Sequence, residues 1–122
     1  MNDRDRVRLL HGPYTPPRLR RGDRTTCLLR DCAVVITGWT SARIPWPCCR
    51  ALDGPGGGSG ILLDEELACA VRCESAAAVC FWWHASPAAV QRWRRVLGVT
   101  RTNNDGARRL MRAAAEASAR AV

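Results

Sequence analysis

The sequence contains no lysine: its 19 basic residues are all arginine, set against 11 acidic residues and two histidines, for a formal charge of +8. It has one tyrosine and one phenylalanine, so its aromatic bulk rests on five tryptophans. No apolar run approaches the roughly 18 residues of a membrane-spanning helix. The opening "MNDRDRVRLL" lacks the apolar stretch of a secretory signal. These absences point to a cytoplasmic chain whose seven cysteines are mostly reduced thiols. Catalytic apparatus is also missing. No histidine stands beside a nucleophile and an acid, and "GPGGGSG" lacks the Lys-Ser/Thr ending of a phosphate-binding loop. "DEE" at 64–66 is explained by a helix start. The expectation is a protein that is not an enzyme and takes no cofactor.

What is present is unevenly distributed. Residues 1–24 carry seven Arg and three Asp, residues 25–85 four Arg and six acids, and residues 86–122 eight Arg with Asp105 and Glu116. Basic ends around a mildly acidic middle suit a polyanionic partner, nucleic acid more than membrane. An Arg- and Ala-rich composition is also what GC-rich coding yields, so charge alone leaves that question open. With 122 residues the chain makes one ordinary domain or two very small units.

Residues 1–24 read as a basic Pro/Arg-rich arm, partly disordered or laid on a surface. Residues 25–52 read as a small β-hairpin element: "TTCLL" and "CAVVITGW" flank Arg30-Asp31 as two strands. In "SARIPWPCCR" two prolines bracket Trp46 and argue against regular structure, with Trp39 and Trp46 expected as apolar anchors across the hairpin. Residues 53–60 read as a Gly-rich linker. Residues 61–122 read as a helical domain of three to four helices. The first has Leu63, Leu67, Ala70 and Val71 at helical spacing, started by Asp64. "SAAAVCFWW" follows a Ser cap. "SPAAVQRWRRVL" has Ser86 as N-cap, Pro87 at the first helical position and Gly98 as C-cap. The last helix, from "NNDGARRLMR", places Leu110, Met111 and Ala114 on one stripe. The expected fold class is α+β, a small N-terminal β element packed on or tethered to a helical bundle.

The second and third of these helices are separated by only His84-Ala85, which suits a steep crossing rather than an antiparallel hairpin. On this spacing "VCFWWHASPAAVQRW" resembles the helix-turn-helix DNA-binding family. Val79 takes the buried aliphatic position of the first helix, Cys80 the small-residue position, and Trp83 the buried position before the turn. Ser86 caps the second helix, and Val90 and Trp93 are its buried positions. His84 stands where the family usually has Gly and must adopt a left-handed conformation. The resemblance covers about 20 residues, or about 35 with the preceding helix as third member of a tri-helical core.

At about 100° per residue, Val90, Trp93 and Leu97 share one face of the helix from Pro87, with Ala89 and Val96 beside them. The opposite face carries Ala88, Gln91 and Arg95, flanked by Arg92 and Arg94. The resemblance implies that this face enters a major groove, where Gln91, Arg92 and Arg95 would read base edges and Ala88 allow close approach. Ser86, Arg94, Arg101, Arg108, Arg109 and Arg112 are the expected phosphate contacts. A solvated basic face is the competing reading.

Double-stranded DNA is the expected partner, with a homodimer or a second protein as a further possibility. The alternative is a protein–protein adaptor using the Trp/Pro-rich "GWTSARIPWP" surface; a structured-RNA binder is permitted by charge alone. Cys27, Cys32, Cys48 and Cys49 could meet in the first half, but adjacent cysteines rarely ligate one metal, so no zinc is expected. Cys69, Cys73 and Cys80 read as small buried hydrophobes.

Overall fold

The computed structural model describes residues 2–52 and 58–120. The Gly-rich linker expected at 53–60 lies for the most part outside the described residues. A short helix α1 (Asp3–Arg6) opens the chain. Four strands follow, β1 (Arg24–Cys27), β2 (Cys32–Trp39), β3 (Pro47–Ala51) and β4 (Gly60–Ile61), in one antiparallel sheet of order β1-β2-β3-β4. Four helices complete it: α2 (Glu65–Cys73), α3 (Ala76–Trp83), α4 (Pro87–Leu97) and α5 (Asp105–Arg120). The fold is α+β.

β1 and β2 form the expected hairpin, with Cys27 opposite Cys32 across a turn in which Asp31 takes φ 50°. Asp tolerates this conformation because its short side chain bonds locally. β2 alternates, burying Val34 and Ile36 against the helices.

The prolines around Trp46 do not exclude a strand. Pro47 is the first residue of β3, where no ladder N–H is required, and its carbonyl accepts from Leu62 N at 2.9 Å. Trp46 is fully buried, whereas Trp39 is 42% exposed and donates its indole N–H to Leu19 O, so only one of the two expected anchors enters the core.

Each helix begins where its capping residue predicts. Asp64, Ser75 and Ser86 accept from the backbone N–H three residues on, at 3.0, 3.1 and 3.1 Å. Leu63 precedes the first cap and is buried from outside the helix. Asn104 links two helix ends. Its Oδ1 accepts from Ala107 N at the start of α5, while its Nδ2 donates to the carbonyls of Val71, Arg72 and Glu74 at the end of α2. Gly106 sits so close to this joint that a Cβ would overlap the backbone of Ser75.

One hydrophobic cluster joins Cys27, Val34, Ile36 and Cys49 of the sheet to Leu67, Val71, Val79, Trp83, Val90 and Trp93 of the helices. The sheet is therefore packed on the bundle, not tethered to it. Trp83 occupies the centre, edge-on to Trp46 with ring centroids 5.7 Å apart and tilted against Tyr14 at 5.5 Å. The stripe expected on α5 is not a core face. Met111 is 49% exposed, Ala114 is exposed and Leu110 is half-buried, because α5 docks by its first turn on the end of α2.

The N-terminal segment departs most from expectation. It is an ordered strap across the helices and the sheet. Glu74, 1% exposed at the end of α2, accepts from Leu10 N (2.7 Å), His11 N (2.9 Å) and Tyr14 Oη (2.6 Å). Val7 O receives the Trp82 indole N–H, and Gly22 N donates to Ile36 O. A carboxylate holding three donors satisfies its own burial and fixes the segment that supplies them.

Candidate nucleic-acid interface

α3 and α4 meet at a turn of His84, Ala85 and Ser86. His84 has φ 53° and ψ 44°, the left-handed conformation required of it, and its N–H closes α3 on Cys80 O. Ala85 N also bonds Cys80 O, at 3.2 Å, so the chain reverses within three residues. Val79, Trp83, Val90 and Trp93 are each at most 2% exposed, and Cys80 is half-buried between them. α2 packs on both α3 and α4, which makes the three helices a common core.

The buried side of α4 fixes what its other side presents. Ala88, Gln91, Arg92 and Arg95 are exposed together; Ala89, Arg94 and Leu97 are half-buried at the margins. Val96, expected beside the buried face, is 51% exposed. Ser86 is exposed and its Oγ accepts from Ala89 N, so its hydroxyl hydrogen remains available to an outside acceptor. With Pro87 lacking an N–H and Ser86 capping Ala89 N, the Ala88 N–H is the one left open in the first turn of α4, at the partly positive end of the helix.

Beside this end lies a groove of about 420 Å³, bounded by Ser86, Ala89, Arg92 and Trp93 on α4 and by Leu29, Arg30 and the 58–61 segment of the sheet. Arg30, in the β1–β2 turn, reaches across to donate to Gly58 O at 2.8 Å. Sequence reasoning identified the turn but not this approach, since nothing local to "LLRD" announces a contact with residues some thirty to sixty positions away. Arg30 and Arg92 give the groove its charge.

The remaining arginines separate. Arg101 is exposed in the loop after α4, where Asn103 braces Thr100 N and Gly98 O. Arg108 and Arg112 are exposed on α5. Arg109 is not a free cation. It pairs with Asp5 at 2.9 Å, donates to Asp5 O at 3.1 Å and has a side chain only 17% exposed. It holds the N-terminal strap to α5, which stands against the phosphate contact expected of it. The strap, engaged by Glu74, Trp82 and Arg109, is likewise not an arm free to follow a groove.

The cysteines are dispersed by depth. Cys27 and Cys49 are buried in the core, and Cys32 and Cys48 are half-buried. The Cys49 thiol donates toward Cys27 and, with burial, is pushed up. Cys27 is pulled down by that bond, with help from backbone N–H groups of Arg30, Leu63 and Leu29 against the cost of burial. Among the described residues no three His, Cys, Asp or Glu side chains converge as a metal site. Of the three expected as small buried hydrophobes, Cys69 is exposed, Cys73 is half-buried, and Cys80 is half-buried and packed against the core. No helix among the described residues is long and apolar enough to cross a membrane.

Comparison of the chain with protein-family models, with curated proteins and with solved structures gives no match.

Proposed function

We propose that the protein binds double-stranded DNA in a sequence-selective manner, with α4 as the reading helix. The observation that carries this is the division of α4. Val90 and Trp93 lock it onto α2 and α3, and Ala88, Gln91, Arg92 and Arg95 stand exposed on one continuous surface. A rigidly seated helix with small, amide and guanidinium side chains outward is the chemistry that major-groove base edges accept. Gln91 and Arg95 read bases in this arrangement, and Ala88 allows the backbone to approach.

Ser86, the Ala88 N–H and Arg30 hold phosphates along the groove beside the sheet, and Arg92, expected on base edges, is assigned to the same groove because it lines it. Arg94, Arg101, Arg108 and Arg112 add attraction without selectivity. The adaptor reading keeps Trp39 as the exposed tryptophan of its surface, because Trp46 is inside the core.

The deciding experiment is selection of bound sequences from a random duplex pool at physiological salt. An enriched motif of one half-site, lost when Gln91 and Arg95 are both replaced by Ala, is the expected result. Recovery of nothing above background overturns the proposal.

A further inference from the structure

Away from α4, the structure holds a second groove, between α1 and the outer side of α3. Ala77, Phe81 and Trp82 of α3 make its floor, and Val7 and the α1 side chains make one wall. Its volume is about 810 Å³. That falls in the range of roughly 300–1,000 Å³ typical of small-ligand clefts.

The walls are fixed in place. Trp82 donates its indole N–H to Val7 O at 2.6 Å, and its carbonyl accepts from Ile44 N at 2.9 Å. Trp82 and Phe81 meet edge-to-face at 5.3 Å. Arg43 stands 3.8 Å above the Phe81 ring, so the rim cation and the apolar floor form one unit.

The charge around the groove is one-sided. Arg4, Arg6 and Arg43 line it with Asp3 as the single acid, and among the described residues none of the three arginines is in an ion pair. The nearby Asp5 is occupied by Arg8 and Arg109. An apolar floor under unpaired guanidinium groups selects a ligand with an apolar body and a negative head.

We infer that the α1–α3 groove is a binding site for a small amphipathic anion, an aryl or medium-chain alkyl carboxylate or sulfonate, with its body on Phe81 and Trp82 and its head among Arg4, Arg6 and Arg43. A peptide is the poorer fit. The floor is the helix α3, whose backbone groups are bonded within the helix, so it offers an extended chain no sheet edge to pair with. The inference stands whether or not α4 binds DNA.

The test is titration of the full chain with 8-anilinonaphthalene-1-sulfonate, read by probe emission and by energy transfer from tryptophan. Saturable micromolar binding of one probe per chain is expected, with displacement by laurate and not by dodecyltrimethylammonium. The double variant Arg4→Ala/Arg6→Ala should bind roughly tenfold more weakly, as expected for two partly exposed charge contacts. Ala77→Leu, which fills the floor, should abolish binding; melting curves matching the parent show that each variant is folded. Unsaturable binding, equal affinity in the charge variant, or equal displacement by the cationic amphiphile overturns the site. Displacement by a polyglutamate peptide but not by laurate overturns it in favour of a protein partner.

Discussion

Glu74 is the residue on which the N-terminal segment depends. Its carboxylate is buried and accepts from two backbone amides and the Tyr14 hydroxyl. Glu74→Gln keeps the shape but turns an amide N–H₂ toward donors, so it should cost about 2–3 kcal/mol, the scale of charge-assisted bonds broken in a buried site. Urea unfolding measures that loss, and amide exchange at Leu10 and His11 should accelerate with it; unchanged exchange would mean that the strap is held elsewhere. Tyr14 itself offers a pH test. Burial, then the hydrogen bond to Glu74 and its negative charge, push the phenol well above its ordinary value. A group with a raised folded-state value stabilises the fold below its unfolded value and loses that contribution above it. Stability should therefore fall as pH rises past about 10. The thiols of Cys48, Cys73 and Cys80, pushed up chiefly by burial, add a decline of the same sign from about pH 8.5. Tyr14→Phe isolates the phenol: it should flatten the steeper part of the curve. Because Tyr14 is the only tyrosine, phenolate absorbance reports it alone, and it should appear only with unfolding.

At the level of elements, the α3–α4 turn carries a conformation that most side chains resist. His84→Gly should be neutral or stabilising, since glycine takes φ near +50° freely. His84→Val should cost about 1–3 kcal/mol, because a β-branched side chain in the left-handed region collides with its own backbone. Both are read by thermal or urea unfolding, and equal stability of the two variants would refute the assignment. Gly106 sets a second constraint. Gly106→Ala forces a methyl into the Ser75 backbone and should cost about 2–4 kcal/mol by opening the α2–α5 joint, whereas Gly38→Ala meets open space and should change little. These helices were legible in the sequence because their signals are local: a Ser or Asp cap, a Pro at the first position, a closing Gly, and apolar spacing near 3.6. β3 and β4 were not. Pro47 reads as a breaker until it is seen at the first position of a strand, and β4, Gly60–Ile61, is too short to show alternation. The strap was hidden for another reason. Its partners, Glu74, Trp82 and Arg109, lie some sixty to a hundred residues away, and a buried Glu at the end of an amphipathic helix has no pattern of its own.

Over the whole molecule, a +8 charge does not assign roles to individual arginines; their packing does. Arg109 is spent on Asp5, so Arg109→Ala should lower stability and leave the salt dependence of duplex binding nearly unchanged. Arg30→Ala and Arg92→Ala, which empty the groove beside α4, should each flatten the slope of log affinity against log salt by about 0.9, one phosphate contact apiece. No local signal makes this distinction, because Arg30 and Arg109 differ only in neighbours brought by the fold. The same logic separates two residues of α4. Trp93 is 2% exposed and joins α4 to α2 and α3, so Trp93→Ala should cost about 3–5 kcal/mol, a large share of a total stability of about 5–15 kcal/mol. Arg95 is exposed on the other side, and its side chain makes no hydrogen bond or ion pair among the described residues. Arg95→Ala should leave the melting temperature where it is. If α4 reads bases, the variant should lose about 1–3 kcal/mol of binding to the selected duplex and relax preference at one base position. A solvated arginine would give the opposite outcome, removable with no effect on any duplex. Melting and duplex binding measured side by side on the two variants therefore separate the side of α4 that holds the fold from the face proposed to meet DNA, and parent-like binding of every duplex by Arg95→Ala would take the reading role away from that face.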